Sequence, residues 1–128
     1  MVSNKHCQTV VVLGASAKPQ RFSYKAVTLL KQYGHRIIPV HPKLMTVADI
    51  PVHAHLNDIN EAVDTLTLYI GPERSQPLHD DIISLAPRRV IFNPGTESEA
   101  LEQRLVQAGI PFMRDCTLVM LQSDQFGF

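Results

Sequence analysis

Thr9-Val10-Val11-Val12-Leu13-Gly14-Ala15-Ser16-Ala17-Lys18-Pro19-Gln20-Arg21-Phe22-Ser23 decides the fold. The unbroken apolar run Thr9–Leu13 has no alternation, which is the pattern of a strand covered on both faces. Gly14 to Arg21 is a loop. Beyond it Ala26, Leu29, Leu30 and Tyr33 recur at helical spacing, with Ser23 placed to cap the start and Gly34 to end the helix. Arg36-Ile37-Ile38-Pro39-Val40 reads as a second strand, in which Pro39 cannot donate a ladder hydrogen bond. Strand, loop, helix, strand is the unit that builds parallel sheets.

The rest of the chain repeats this alternation. Thr65 to Ile70 is a third strand, and Leu78, Ile82, Leu85 and Ala86 mark a helix with Pro77 in its first turn. Arg89 to Phe92 is a fourth strand. Thr96-x-x-Glu99 has the form of a capping box, ahead of a helix whose buried stripe is Leu101, Leu105 and Ala108 and which Gly109 closes. Ile110 to Met113 is a fifth strand. Between Leu44 and Asn60 the signals are weak: Ile50-Pro51-Val52 reads as extended and Asn57 to Ala62 as a short helix. Cys116 to Leu121 is apolar and fits strand or helix equally. The expectation is an α/β protein, a single domain over residues 1–128, with a five-stranded, mainly parallel sheet and helices on both faces.

With 128 residues, 45% apolar and 19% charged, the composition is that of an ordinary globular protein. No apolar run approaches the roughly 18–20 residues needed to span a bilayer, and Met1 to Gln8 is too polar for a signal peptide. Cys7 and Cys116 make no disulfide framework, so a reducing, cytoplasmic setting is expected. The absence of tryptophan and the 6% aromatic content argue against a stacking surface for single-stranded nucleic acid. The net charge of zero hides a division. Residues 1–48 carry Lys5, Lys18, Arg21, Lys25, Lys31, Arg36 and Lys43 and no acid, whereas all 12 acids and the other bases follow. An anionic partner for the basic part follows from this asymmetry.

In open parallel sheets ligands bind at the carboxyl ends of strands, so the loops Gly14–Ser23, His41–Lys43, Ile70–Arg74 and Asn93–Thr96 are the candidate site. The first leaves a buried strand and enters a helix, where free N–H groups and the helix dipole attract anions. Lys18 and Arg21 add charge, and Ser16 and Ser23 add hydroxyl donors. A diphosphate suits this loop. The dinucleotide pattern G-x-G-x-x-G maps onto Gly14, Ser16 and Pro19, so only its first glycine is present. No acid follows the second strand to hold a ribose diol; the residues there are His41-Pro42-Lys43, and a lysine suits a phosphorylated ribose. NADP and coenzyme A (CoA) both carry one. The triphosphate-binding Walker pattern is absent.

Gly14-Ala15-Ser16-x-x-Pro19-x-Arg21-x-Ser23, followed by Ile38-Pro39-Val40-His41-Pro42-Lys43, resembles the stand-alone CoA-binding domain proteins, which are similar to the CoA-binding domain of succinyl-CoA synthetase alpha subunits. Asn93-Pro94-Gly95-Thr96-Glu97, Ala108-Gly109-Ile110 and Cys116-Thr117-Leu118-Val119-Met120-Leu121 extend the resemblance over nearly the whole chain. It implies a Rossmann-like domain with CoA or an acyl-CoA lying across the strand ends. Gly14, Ala15, Ser16, Lys18, Arg21 and Ser23 would form the phosphate loop. His41, Pro42 and Lys43 would follow the second strand, with Lys43 facing the ribose phosphate or adenine. Ile70, Gly71 and Pro72 would wall the adenine, and Asn93, Pro94 and Gly95 would lie towards the pantetheine. His41 departs from the family pattern, which commonly has Asn there.

The residues offer little chemistry beyond binding. His53-x-His55 lacks further ligands for a metal. Cys116 precedes an apolar run, as a buried hydrophobe does, and a mixed disulfide with the CoA thiol is the sharper alternative. Asp80-Asp81 and Glu97-x-Glu99 sit where helix dipoles favour acids. No catalytic residue and no metal ligand is assigned. The expected partner is a small molecule rather than nucleic acid or membrane, with a homo-oligomer or protein partner left open. Two rival functions remain: an NADP-dependent redox enzyme or sensor, and a nucleic-acid-binding or interaction module using the basic half.

Overall fold

The structure, a computed structural model, describes residues 7–128; Met1 to His6, including Lys5, lie outside the described residues. Its centre is a five-stranded sheet built from β1 (Thr9–Leu13), β2 (Arg36–Val40), β5 (Thr65–Leu68), β6 (Arg89–Phe92) and β7 (Phe112–Arg114), in the order β2-β1-β5-β6-β7. Every pairing in it is parallel. Two residues each form β3 (Thr46–Val47) and β4 (Ile50–Pro51), an antiparallel hairpin. Pro39 is accommodated because β2 is an edge strand. Its carbonyl accepts from His53 N on the side away from β1, so its missing N–H also falls on that side.

The strands alternate their side chains between two cores. On one face Val11, Leu13, Leu66, Leu68, Val90 and Phe92 pack with Ile82 of α3 (His79–Leu85) and with Leu101 and Leu105 of α4 (Glu99–Ala108). On the other, Val10, Val12 and Ile91 pack with Val27 and Leu30 of α1 (Phe22–Gln32) and with Met120 and Leu121 of α5 (Thr117–Gln122). Most of these side chains are fully buried, and each contributes about 1.5–3 kcal/mol of transfer free energy. The α/β architecture with helices on both faces is therefore as the periodicity predicts, and Cys116–Leu121 resolves as helix, with Cys116 at the cap position of α5.

Several local expectations are corrected. Ser23 does not cap α1; it is the buried second residue of the helix, and the cap position belongs to Arg21, whose side chain makes no capping bond. Thr96 and Glu99 form no capping box. The Thr96 hydroxyl turns back to the Asn93 carbonyl at 2.8 Å, and Ser98 caps α4 by accepting from Leu101 N at 3.1 Å. The helical path before β6 begins at Pro72, six residues earlier than the apolar spacing indicates: α2 (Pro72–Ser75) runs through a 3-10 turn at Gln76–Leu78 into α3. Asn57–Ala62 is not a helix; a single 3-10 turn spans Leu56–Asp58. β5 ends at Leu68 rather than Ile70, and β7 starts at Phe112 rather than Ile110.

Candidate functional site

The carboxyl ends of β1, β2, β5 and β6 open onto two adjoining cavities. The larger, about 500 Å³, is lined by the first loop from Gly14 to Ser23 and, across from it, by Tyr69, Pro94 and Thr96. The smaller, about 170 Å³, is mostly aliphatic, with Leu13, Val40, Pro42, Leu56, Ile70 and Leu78 in its walls. Gly14, His41 and Arg74 line both.

Gly14 sits where these cavities meet, and no other residue fits there. Its φ is +92°, and a Cβ would lie 2.6 Å from Ile70 Cγ2 and 3.1 Å from the Tyr69 carbonyl carbon. Gly14 N and Ala15 N both donate to the Val40 carbonyl at 3.2 Å, which ties the loop's first turn to the end of β2. Ser16 Oγ accepts from Lys18 N at 3.1 Å, leaving its own O–H free to donate. Arg21 N closes a turn onto the Lys18 carbonyl at 3.0 Å. With Arg21 supplying no side-chain cap, the first N–H groups of α1 have no side-chain acceptor and face the loop that carries both cations.

His41 holds the turn that follows β2. Its Nδ1 accepts from Lys43 N at 3.0 Å and Leu44 N at 3.1 Å, the bonds an Asn side-chain oxygen makes in an Asx turn. Nδ1 is therefore unprotonated, and the neutral ring carries its hydrogen on Nε2 as a donor.

The remaining predicted residues divide. Pro42 and Ile70 line the smaller cavity and Pro94 the larger. Gly71 and Pro72 lie behind Ile70, where they start α2, and Gly95 follows Pro94 with a φ of +92°. Lys43 is exposed on the rim and lines neither cavity. Asn93 is buried beneath the site. Its Nδ2 donates to Thr67 Oγ1 at 2.6 Å and to the Leu68 carbonyl at 2.7 Å, and its Oδ1 accepts from Thr117 N at 2.9 Å. It locks β5, β6 and α5 together, and both of its N–H groups are used within the protein.

Sequence reasoning missed Tyr69 and Leu44 in the larger cavity and Asp81 and His55 in the smaller, and it assigned no contact to Phe22 or Arg74, although both stand in loops marked by the strand-end rule. Burial pushes the Tyr69 phenol up to about 12, tempered by the neighbouring Thr117 and Thr67 hydroxyls, so it remains a donor. Those two hydroxyls are bonded to each other at 2.8 Å, and the Tyr69 oxygen has no partner among the described residues. Cys116 is half-buried and Cys7 exposed, and both are free thiols. A separate open groove of about 490 Å³ along α4 and Arg114 lies away from the first loop and shares no residue with either cavity. Among the described residues no group of three or more His, Cys, Asp or Glu side chains could hold a metal, and no helix is long and apolar enough to cross a membrane.

The family model of the CoA binding domain matches residues 8–122, which carry every element described above. This chain belongs to the CoA-binding domain family. Among solved structures, a crystal structure of an uncharacterized protein is 42% identical, with a TM-score of 0.83, and the match covers 94% of this chain and 98% of that one. A protein from Thermus thermophilus is 28% identical, with a TM-score of 0.86 over 94% of this CoA-binding domain and 91% of the other chain. An acetyl-coenzyme A synthetase from Ca. Korarchaeum cryptofilum, in complex with phosphate and ADP, is 17% identical with a TM-score of 0.73. That match covers 88% of this chain but only 26% of the synthetase and shows the shared Rossmann-like fold.

Proposed function

We propose that the protein binds CoA or an acyl-CoA reversibly at the carboxyl ends of β1, β2, β5 and β6, without catalysis of its own. The observation that carries this reading is the pair of adjoining cavities: an aliphatic one sized for a flat base, and a basic one at an uncapped helix N-terminus. The residues fit the ligand. Leu13, Val40, Pro42, Ile70 and Leu78 offer apolar surface to the faces of an adenine. Backbone N–H groups at the start of α1, with Lys18, Arg21 and the Ser16 hydroxyl, would hold a diphosphate, a dianion that helix dipole and side-chain cations favour together. The tight approach of the Gly14 backbone to Ile70 leaves no room for a side chain at position 14, where the two cavities meet. Tyr69, Pro94 and Thr96 border the path a pantetheine arm would take. The ligand supplies a thiol or thioester; the protein orients it. Catalytic machinery is not assigned: the cations at the site, Lys18, Arg21 and Arg74, are suited to holding anions rather than to moving protons, and Asp81 lines the smaller cavity alone.

Isothermal titration with CoA, acetyl-CoA, NADP and an unrelated duplex DNA separates the readings. CoA binding that is lost in Lys18→Glu/Arg21→Glu, with thermal stability retained, is the expected result. Preference for NADP, or DNA binding with a steep salt dependence, would overturn it.

A further inference from the structure

We infer that Arg74, together with His41, reads the 3′-phosphate of the ribose, and that Lys43 does not. This inference rests on the CoA-binding reading above and assigns a specificity-determining residue within it.

In an adenosine diphosphate unit the ribose joins the base to the diphosphate. A base in the smaller cavity and a diphosphate in the larger therefore place the ribose where the two meet. Three residues line both cavities. Gly14 supplies only backbone there. The other two are His41 and Arg74, and a phosphomonoester on the ribose meets what they carry. His41 has spent Nδ1 on Lys43 N and Leu44 N, so the Nε2–H that remains is a donor held in place by a tied ring. Arg74 is exposed, and among the described residues its guanidinium makes no ion pair and no side-chain hydrogen bond. A planar guanidinium can meet two phosphate oxygens at once, which a lysine cannot. Asp81 lines the smaller cavity alone, so the carboxylate lies on the base side of the junction. Lys43, the cation that the sequence suggests for this task, points its backbone N–H at His41 and lines neither cavity.

The test is the ratio of affinities for CoA and dephospho-CoA, measured by titration calorimetry on the full chain, for the parent, Arg74→Gln, Lys43→Ala and His41→Asn; the last keeps the turn but loses the Nε2–H and is expected to lower the ratio, and an unchanged ratio removes His41 from the assignment. Arg74 is exposed, so its substitution leaves folding intact, which a thermal melt checks. The parent is expected to prefer CoA. Arg74→Gln is expected to weaken CoA by about 10- to 100-fold, the range of a lost charge-assisted contact, while costing dephospho-CoA no more than about threefold. Lys43→Ala is expected to shift the ratio by less than about threefold, in the range of a rim charge. Equal losses for both ligands in Arg74→Gln overturn the assignment, because the arginine would then serve the diphosphate or the fold. A ratio collapsed by Lys43→Ala and untouched by Arg74→Gln overturns it in favour of the lysine. A parent that binds neither ligand refutes the CoA reading itself, and the assignment with it.

Discussion

Gly14→Ala tests whether the junction of the two cavities depends on the bare backbone found there. Two costs add. An L-residue at a φ of +92° loses about 1–2 kcal/mol from the clash of its Cβ with its own backbone. The new Cβ also lands 2.6 Å from Ile70 Cγ2 and 3.2 Å from the Tyr69 carbonyl oxygen, and overpacking of this kind costs about 1–3 kcal/mol. The sum is about 2–5 kcal/mol, a large share of a typical domain's stability, and urea unfolding followed by circular dichroism measures it. The two parts separate in a double-mutant cycle with Ile70→Leu, which removes the Cγ2 branch. In that background Gly14→Ala should cost less by about 1 kcal/mol or more, the part that remains being conformational strain and the Tyr69 contact. Because Ile70 walls the smaller cavity, CoA affinity should fall in Gly14→Ala and partly return in the double variant. A single variant within about 0.5 kcal/mol of the parent, the range that ordinary surface substitutions span, refutes the steric argument. So does a cost that is the same with and without the Ile70 methyl.

Four further outcomes are expected. His41→Ala leaves two backbone N–H groups without their acceptor and should cost about 1–2 kcal/mol in urea unfolding, whereas His41→Asn should retain most of that stability; equal losses would remove the Asx-type role. His35 and His79 are held below the ordinary 6.5, His35 by burial and by the Arg89 charge and His79 by burial and by Arg104. As the pH falls below about 6.5 the unfolded chain therefore takes up protons that the fold resists, so stability drops; the fall in urea midpoint between pH 7.5 and 5.5 should flatten in His35→Gln/His79→Gln, and an unchanged slope would sink the claim. Arg89 is buried, donates to Thr65 Oγ1 and the Phe126 carbonyl, and lies 4.7 and 4.4 Å from the ring centroids of Phe126 and Phe128, so Arg89→Ala should free residues 123–128 to proteolysis, and an unchanged digest would count against this anchor. Cys116→Ala should leave CoA affinity within about threefold, a free-energy change of about 0.65 kcal/mol, and a larger loss in calorimetry would give the thiol a part in binding.

The sheet was legible because its strands are buried on both faces, so Val10, Val11 and Val12 needed no alternation to be read. The phosphate loop was legible for a different reason: Gly14, Lys18 and Arg21 stand between a strand and a helix, and that order is local. What failed was non-local or lacked its usual signal. The hairpin of β3 and β4 turns at Ala48 and Asp49, both at positive φ, without the Gly or Asn that such turns favour, so nothing in the residues announced it. Thr96 matched a capping motif, but its hydroxyl is taken by the turn after β6, and the helix waits for Ser98. Asn93 stood among candidate ligand contacts because it follows a strand; only the packing of β5 against α5 shows that its amide is already used. Arg74 ends a loop that the strand-end rule marks, but its place where two cavities join is encoded by no spacing along the chain.

The division of charge along the chain acquires its meaning from where the ion pairs fall. The four among the described residues join Arg36 to Glu61, Arg88 to Asp64, Arg104 to Asp80 and Arg114 to Glu102. Two of them sit at the amino ends of β2 and β6 and two along α4, all away from the first loop. Three of these pairs lie wholly within residues 49–128, and among the described residues of the basic opening only Arg36 is paired. Among the described residues Lys18, Arg21 and Arg74 make no ion pair, and in the cavity walls these three cations stand against the one carboxylate of Asp81, a local excess of positive charge in a molecule whose formal charge is zero. A field of that kind attracts an anion before contact and costs the fold little, since the cations are solvated until the ligand arrives. It also fixes a consequence for salt: raising ionic strength should weaken CoA binding while leaving the partly buried aliphatic contacts to the base largely intact, so the shorter and less charged the ligand, the flatter its salt dependence.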